Sequence, residues 1–126
     1  MSDPRALFVA AFNDSDLDAM AALLSADASA QVLGAPFPEE QGAATNRHTS
    51  FPHICELDLV ASLTSVGGAE WILLRTEGGR GPIDTALKLR VVGATIERIE
   101  YLVAPHQPEQ LRALGAACGL PTLAEG

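Results

Sequence analysis

Two short helices followed at once by a strand fill the first 34 residues, and this opening limits the fold more than any other stretch of the chain. Asp3-Pro4 marks a helix start, with Pro4 at the first helical position, where its missing N–H removes no hydrogen bond. Leu7, Phe8, Ala11 and Phe12 form the apolar stripe of that helix, and Asn13-Asp14 breaks it. Ser15 is the expected start of the second helix, with Asp18 three residues on in a capping-box-like arrangement. Leu17, Met20, Ala21 and Leu24 follow at i, i+3, i+4 and i+7. Residues 27–34 then read as a turn into a strand.

A chain of 126 residues implies one domain, residues 1–126, burying about two thirds of its unfolded surface, enough for one core and a small pocket. Hydrophobic residues make up 48% and charged residues 19%, which argues against disorder. Eight basic residues face sixteen acidic ones, and the net charge is -8. Lys88 is the only lysine and the arginines are scattered singly, so no basic stripe exists to neutralise phosphates. Nucleic acid and anionic membrane surfaces are therefore not expected partners. Apolar small molecules or a second copy of the chain are. Cys55 and Cys118 are too few for a disulfide framework, and no CxxC is present. The start of the chain carries no signal peptide pattern and no apolar run reaches about 20 residues, so the expected location is the cytoplasm.

The period changes after Phe51-Pro52. A short third helix is expected between Glu39 and Thr49. Leu57, Leu59, Ala61 and Leu63 then alternate with more polar residues, as a strand with one buried face does. Val66-Gly67-Gly68-Ala69 is a hairpin turn, and the run Trp71-Ile72-Leu73-Leu74 within the next strand implies burial on both faces. Residues 78–82 form a loop, 83–92 a strand, and 95–103 the last strand. Pro108 begins a closing helix with Leu111, Leu114 and Cys118 aligned, and Gly119 suits its left-handed cap. Four meander strands curl, and helices can cover the concave face. The expected architecture is α+β, a cone-shaped curved antiparallel sheet wrapped by N-terminal helices, with a pocket enclosed between them. Ile72, Leu74 and Val92 are expected on the sheet's outer face, where their apolar surface would form a homodimer interface.

This order of elements, together with residues 8–18 and 23–28, resembles the SnoaL-like branch of the nuclear transport factor 2-like superfamily, whose fold is also described as cystatin-like. Residues 32–37 and 114–121 resemble the SnoaL-like domain at the C-terminus of extracytoplasmic-function sigma factors. The chain has no helix-turn-helix segment, so it would be a free-standing relative of that module. The superfamily hosts isomerases, hydrolases, cyclases and binders, and its likeness specifies fold far better than activity. Its ketosteroid isomerases need a first-helix tyrosine, a protonated aspartic acid and a carboxylate base on the first strand. In this chain the tyrosine's place is held by Phe8 and the base's place by Val32, flanked by Gln31 and Leu33. Only Asp84, in Pro82-Ile83-Asp84, resembles the segment of the buried acid. Its parity with Lys88 and Arg90 places it on the wet face unless a bulge near Gly81-Pro82 turns it inward. The Asp–Arg–Asp set of the superfamily's epoxide hydrolases would have to come from Asp58, Arg75 and Asp84.

The candidate catalytic residues are accordingly Asp84 and His48. His48 and His53 bracket Phe51-Pro52 at the expected pocket mouth, where a histidine suits acid–base work near neutral pH and equally serves as a polar loop residue. Three histidines this far apart, with no HxH or HExxH, give no metal signature, and no cofactor is expected. Phe8, Phe12, Phe51, Leu87 and Tyr101 are the expected pocket wall, with Trp71 either beside them or packed in the core or an interface. The reading is a small-molecule-binding domain with a mainly apolar pocket, a regulatory role and no complete catalytic set. Its rivals are an acid–base enzyme acting on an apolar substrate and a dimerisation module whose pocket is filled by its own side chains.

Overall fold

A computed structural model of the chain describes residues 3–32, 59–103 and 107–122. The third helix expected between Glu39 and Thr49 lies outside the described residues, as do His48, Phe51, His53, Cys55 and Asp58. Helix α1 spans Pro4–Asn13, and the Asp3 carboxylate accepts the Arg5 backbone N–H at 3.0 Å, closing its first turn. Helix α2 spans Leu17–Ala22. Its cap is Asp16, not Ser15. Ser15 takes a left-handed turn conformation at φ 54, and Asp16 Oδ1 accepts the Ala19 N–H at 3.1 Å. The second helix is thus shorter than its apolar spacing implies, and Leu24 is the first residue of a strand.

That strand, β1 (Leu24–Val32), joins β2 (Val60–Val66), β3 (Ala69–Arg75), β4 (Ile83–Val92) and β5 (Thr95–Val103) in one curved sheet of order β1-β5-β4-β3-β2. Strands β2 to β5 form an antiparallel meander, and β1 runs parallel to β5. The β2–β3 hairpin closes on Gly67 and Gly68, with φ 60 and 84; two successive positive φ values are what a two-residue hairpin loop needs and glycine supplies. Helix α3 (Pro108–Cys118) ends on Gly119 at φ 71, as expected.

The sheet separates two cores. On its inner face, Phe8, Ala11 and Phe12 of α1 and Met20 of α2 pack on Ile72, Leu74, Leu87, Leu89, Ile99 and Tyr101. On its outer face, Leu111 and Leu114 of α3 pack on Leu73, Ile83, Ala86 and Leu102. Strand β3 therefore buries both sides. The assignment of sides is the reverse of the expected one: Ile72 and Leu74 face α1, and Trp71 and Leu73 face outward. Ile72 and Leu74 are thus already covered within the chain, and Val92, 54% exposed, is the one residue of the expected partner-facing trio left at the surface.

Three register shifts interrupt the sheet, the first in β1 between Leu24 and Ser29. Leu74 pairs with Thr85 but Arg75 pairs with Ile83, so Asp84 is the extra residue of a bulge. Arg90 pairs with Arg98 but Val91 pairs with Ile96, so Glu97 is another.

Helix α1 is fastened to the edge of the sheet by one side chain. Asn13 Nδ2 donates to the Ala61 carbonyl at 3.0 Å, and Asn13 Oδ1 accepts the Ala61 N–H at 2.8 Å. The carboxamide occupies the place that the peptide of another strand would take, which also blocks part of the β2 edge from pairing with a foreign strand. Replacing Asn13→Ala should lower unfolding stability by about 1–2 kcal/mol, two net hydrogen bonds' worth, in urea titrations. Phe12→Ala should cost about 3–5 kcal/mol in the same measurement, through the cavity it leaves in the inner core.

Candidate functional site

The inner core assembles the candidate site from two elements. Phe8 and Phe12 are one turn apart on α1 and project from the same side of the helix, so both reach the sheet. Leu87 on β4 and Tyr101 on β5 are direct cross-strand partners, and Leu87 is also the partner of Ile72 on β3. All four expected wall residues are buried in the same cluster. Phe51, the fifth, lies outside the described residues. Trp71 does not join them. It is half-buried on the outer face, with the Lys88 ammonium 5.7 Å from its ring centroid, a cation–π contact at the surface.

Tyr101 is the polar exception in this cluster. The residue is 6% exposed, and its hydroxyl has no hydrogen-bond partner among the described residues. Burial pushes its pKa well above the ordinary value near 10, because the phenolate would have to form away from water. Sequence reasoning picked Tyr101 for its ring. The hydroxyl's isolation depends on which groups surround it in space, and no spacing along the chain reports that.

Asp84 is the bulged residue itself, so the irregularity sits two residues beyond the Gly81-Pro82 position considered from sequence. The carboxylate is half-buried and accepts the Thr85 hydroxyl at 2.7 Å. The bulge sends Ile83 to the outer core. Arg75 serves the neighbouring loop: its guanidinium donates to the carbonyls of Gly81, at 2.8 Å, and Arg80, at 3.1 Å. It is thereby a loop brace, and an Asp–Arg–Asp water-activating set does not form around it among the described residues. No grouping of His, Cys, Asp and Glu among the described residues could hold a metal ion. Cys118 is a free, half-buried thiol beside the outer core.

The arrangement has counterparts among solved structures. A cystatin-fold protein from Novosphingobium aromaticivorans matches with a TM-score of 0.55 at 15% identity, covering 78% of this chain and 93% of that one. A nuclear transport factor 2-like protein from Cytophaga hutchinsonii matches with a TM-score of 0.53 at 10% identity, covering 81% and 88%. A protein with a ketosteroid isomerase-like fold from Catenulispora acidiphila, in complex with trimethylamine, matches with a TM-score of 0.55 at 16% identity, covering 100% and 98%. The fold is nuclear transport factor 2-like. Identities this low speak for the nuclear transport factor 2-like fold and not for an activity. No protein-family model and no curated protein matches the sequence. Among the described residues no helix is long and apolar enough to cross a membrane.

The single tyrosine makes the inner core testable by titration. Tyr101 should stay un-ionised in the folded protein as pH rises past 10, and tyrosinate absorbance should appear only together with unfolding. The sign follows from proton binding. Between the unfolded value near 10 and the higher folded one, the folded state holds the proton and the unfolded state does not. Stability should therefore fall by about 1.4 kcal/mol per pH unit in that window from this group. Tyrosinate forming reversibly near pH 10 with the fold intact would place the ring in water.

Proposed function

We propose that the chain is a small-molecule-binding domain that holds an apolar ligand between α1–α2 and the inner face of the sheet. The observation that carries this reading is the composition of the inner core. Phe8, Phe12, Leu87 and Tyr101 come together there among other buried apolar side chains. Such a lining offers contact area to an apolar molecule and gives little means of activating one.

The rival reading is acid–base catalysis on an apolar substrate, and it rests on Asp84. That carboxylate is half-buried at a bulge and already engaged by the Thr85 hydroxyl. A catalytic carboxylate has to reach the proton it moves, within about 3 Å or through one water. The binding reading is preferred because the side chains gathered on the inner face are apolar, and Asp84 already holds the Thr85 hydroxyl.

Thermal denaturation against a panel of uncharged apolar compounds tests the proposal. A true ligand at a hundred times its dissociation constant should stabilise the fold by about 2.7 kcal/mol. The variant Asp84→Asn should show the same stabilisation. A panel in which no compound raises the midpoint at saturating concentration would speak for an inner core filled by the chain's own side chains.

A further inference from the structure

We propose that the Tyr101 hydroxyl is the polar anchor of this site, donating a hydrogen bond to an acceptor oxygen on an uncharged, otherwise apolar ligand. The inference rests on the reading of the inner core as a binding site and adds to it the chemistry of the ligand. Three side-chain oxygens are buried without a hydrogen bond among the described residues, namely Ser25 Oγ, Tyr101 Oη and Thr122 Oγ1. Of these, only Tyr101 belongs to the inner cluster. Its ring is held in place by backbone pairing on both sides, since β5 is an interior strand and Tyr101 pairs with Leu87 on β4 and Val32 on β1. The phenol cannot swing out to water without leaving the core.

A buried hydroxyl that makes no hydrogen bond opposes folding, and phenylalanine would fill the same space without that penalty. Folding therefore gives no reason for the oxygen, whereas a ligand that brings an acceptor does. The charge state of that ligand follows from what surrounds it. The side chains described as packing with Tyr101 are apolar and offer a charged ligand no counter-charge. The nearest basic group on α1, Arg5, is already used: it donates to the Leu89 carbonyl at 3.2 Å and lies 3.7 Å from Glu70. A charged ligand would be desolvated there without compensation. A neutral phenol among apolar side chains fits a ketone, ester or ether oxygen on a hydrocarbon frame.

The experiment compares three compounds built on one ring: acetophenone, which carries an acceptor, ethylbenzene, which does not, and benzoate, which is charged. Tyr101 is the only tyrosine, so a tyrosine ζ-carbon label gives one NMR signal that reports on this hydroxyl alone. In the wild-type protein acetophenone should bind about fivefold more tightly than ethylbenzene, the worth of one net hydrogen bond, and should shift the label. Benzoate should bind more weakly than either. In Tyr101→Phe, which removes one oxygen atom, ethylbenzene should keep its affinity and the preference for acetophenone should vanish. The thermal midpoint of the unliganded variant should be equal or higher, which separates the result from misfolding. A preference for acetophenone that survives in Tyr101→Phe overturns the anchor while leaving the binding site standing. Benzoate binding as tightly as acetophenone overturns the neutral-ligand assignment. If neither acetophenone nor ethylbenzene binds the wild-type protein, the binding-site reading itself fails and the anchor with it.

Discussion

The fold depends on one burial: the apolar stripe of α1 laid across the inner face of the sheet. Phe8 and Phe12 are the large side chains of that contact, and they meet residues from β3, β4 and β5 at once. An isolated ten-residue helix is marginal in water, so α1 owes its order to this surface. The sheet owes something in return. Without α1 the inner side chains of β3, β4 and β5 would lie open, and the β2 edge would present its peptide groups unpaired. The Asn13 carboxamide on the Ala61 peptide closes that edge and fixes where along β2 the helix ends. One helix thus supplies the cover of the inner core and the seal of an edge strand.

Much of this was legible in the sequence because its signals are local. The starts of α1 and α3, the bounds of β4 and β5, the Gly67-Gly68 turn and the Gly119 cap each depend on a few neighbouring residues, and the structure has them as expected. The second helix shows where local signals conflict. The spacing from Leu17 to Leu24 continues a helical stripe, yet Leu24 starts a strand, because pairing with Ile96 on β5 claims it. Ser15 and Asp16 are both good caps, and Asp16 takes the role, its carboxylate accepting the Ala19 N–H while Ser15 turns left-handed.

The faces of β3 were not legible, for a physical reason. Alternation reveals a strand's sides only when one side is wet. Trp71, Ile72, Leu73 and Leu74 are apolar without interruption because β3 lies between two cores, so nothing in the run says which parity meets α1. That ambiguity left Trp71 open between pocket and core or interface and put Ile72 and Leu74 on the wrong face. Bulges add a second source of error. Asp84 interrupts β4 by one extra residue, which breaks the parity argument that compared it with Lys88 and Arg90. Phe8, Phe12, Leu87 and Tyr101 come together in one buried cluster because each lies on an element whose own alternation or helical period is clean. What the sequence could not contain was the isolation of the Tyr101 hydroxyl, a property of the surroundings assembled from α1, β4 and β5.

The account's central claim is that the inner core receives a ligand through apolar contact and that the phenol inside it meets the ligand's oxygen. The most direct measurement is a crystal structure of the protein grown with acetophenone, at a resolution that shows ordered water. The account predicts density for the ring between α1 and the β4–β5 pair, with its oxygen about 2.7–2.8 Å from Tyr101 Oη. Density confined to the outer face beside Trp71, or a Tyr101 hydroxyl that donates to a protein group across a filled core, would contradict it.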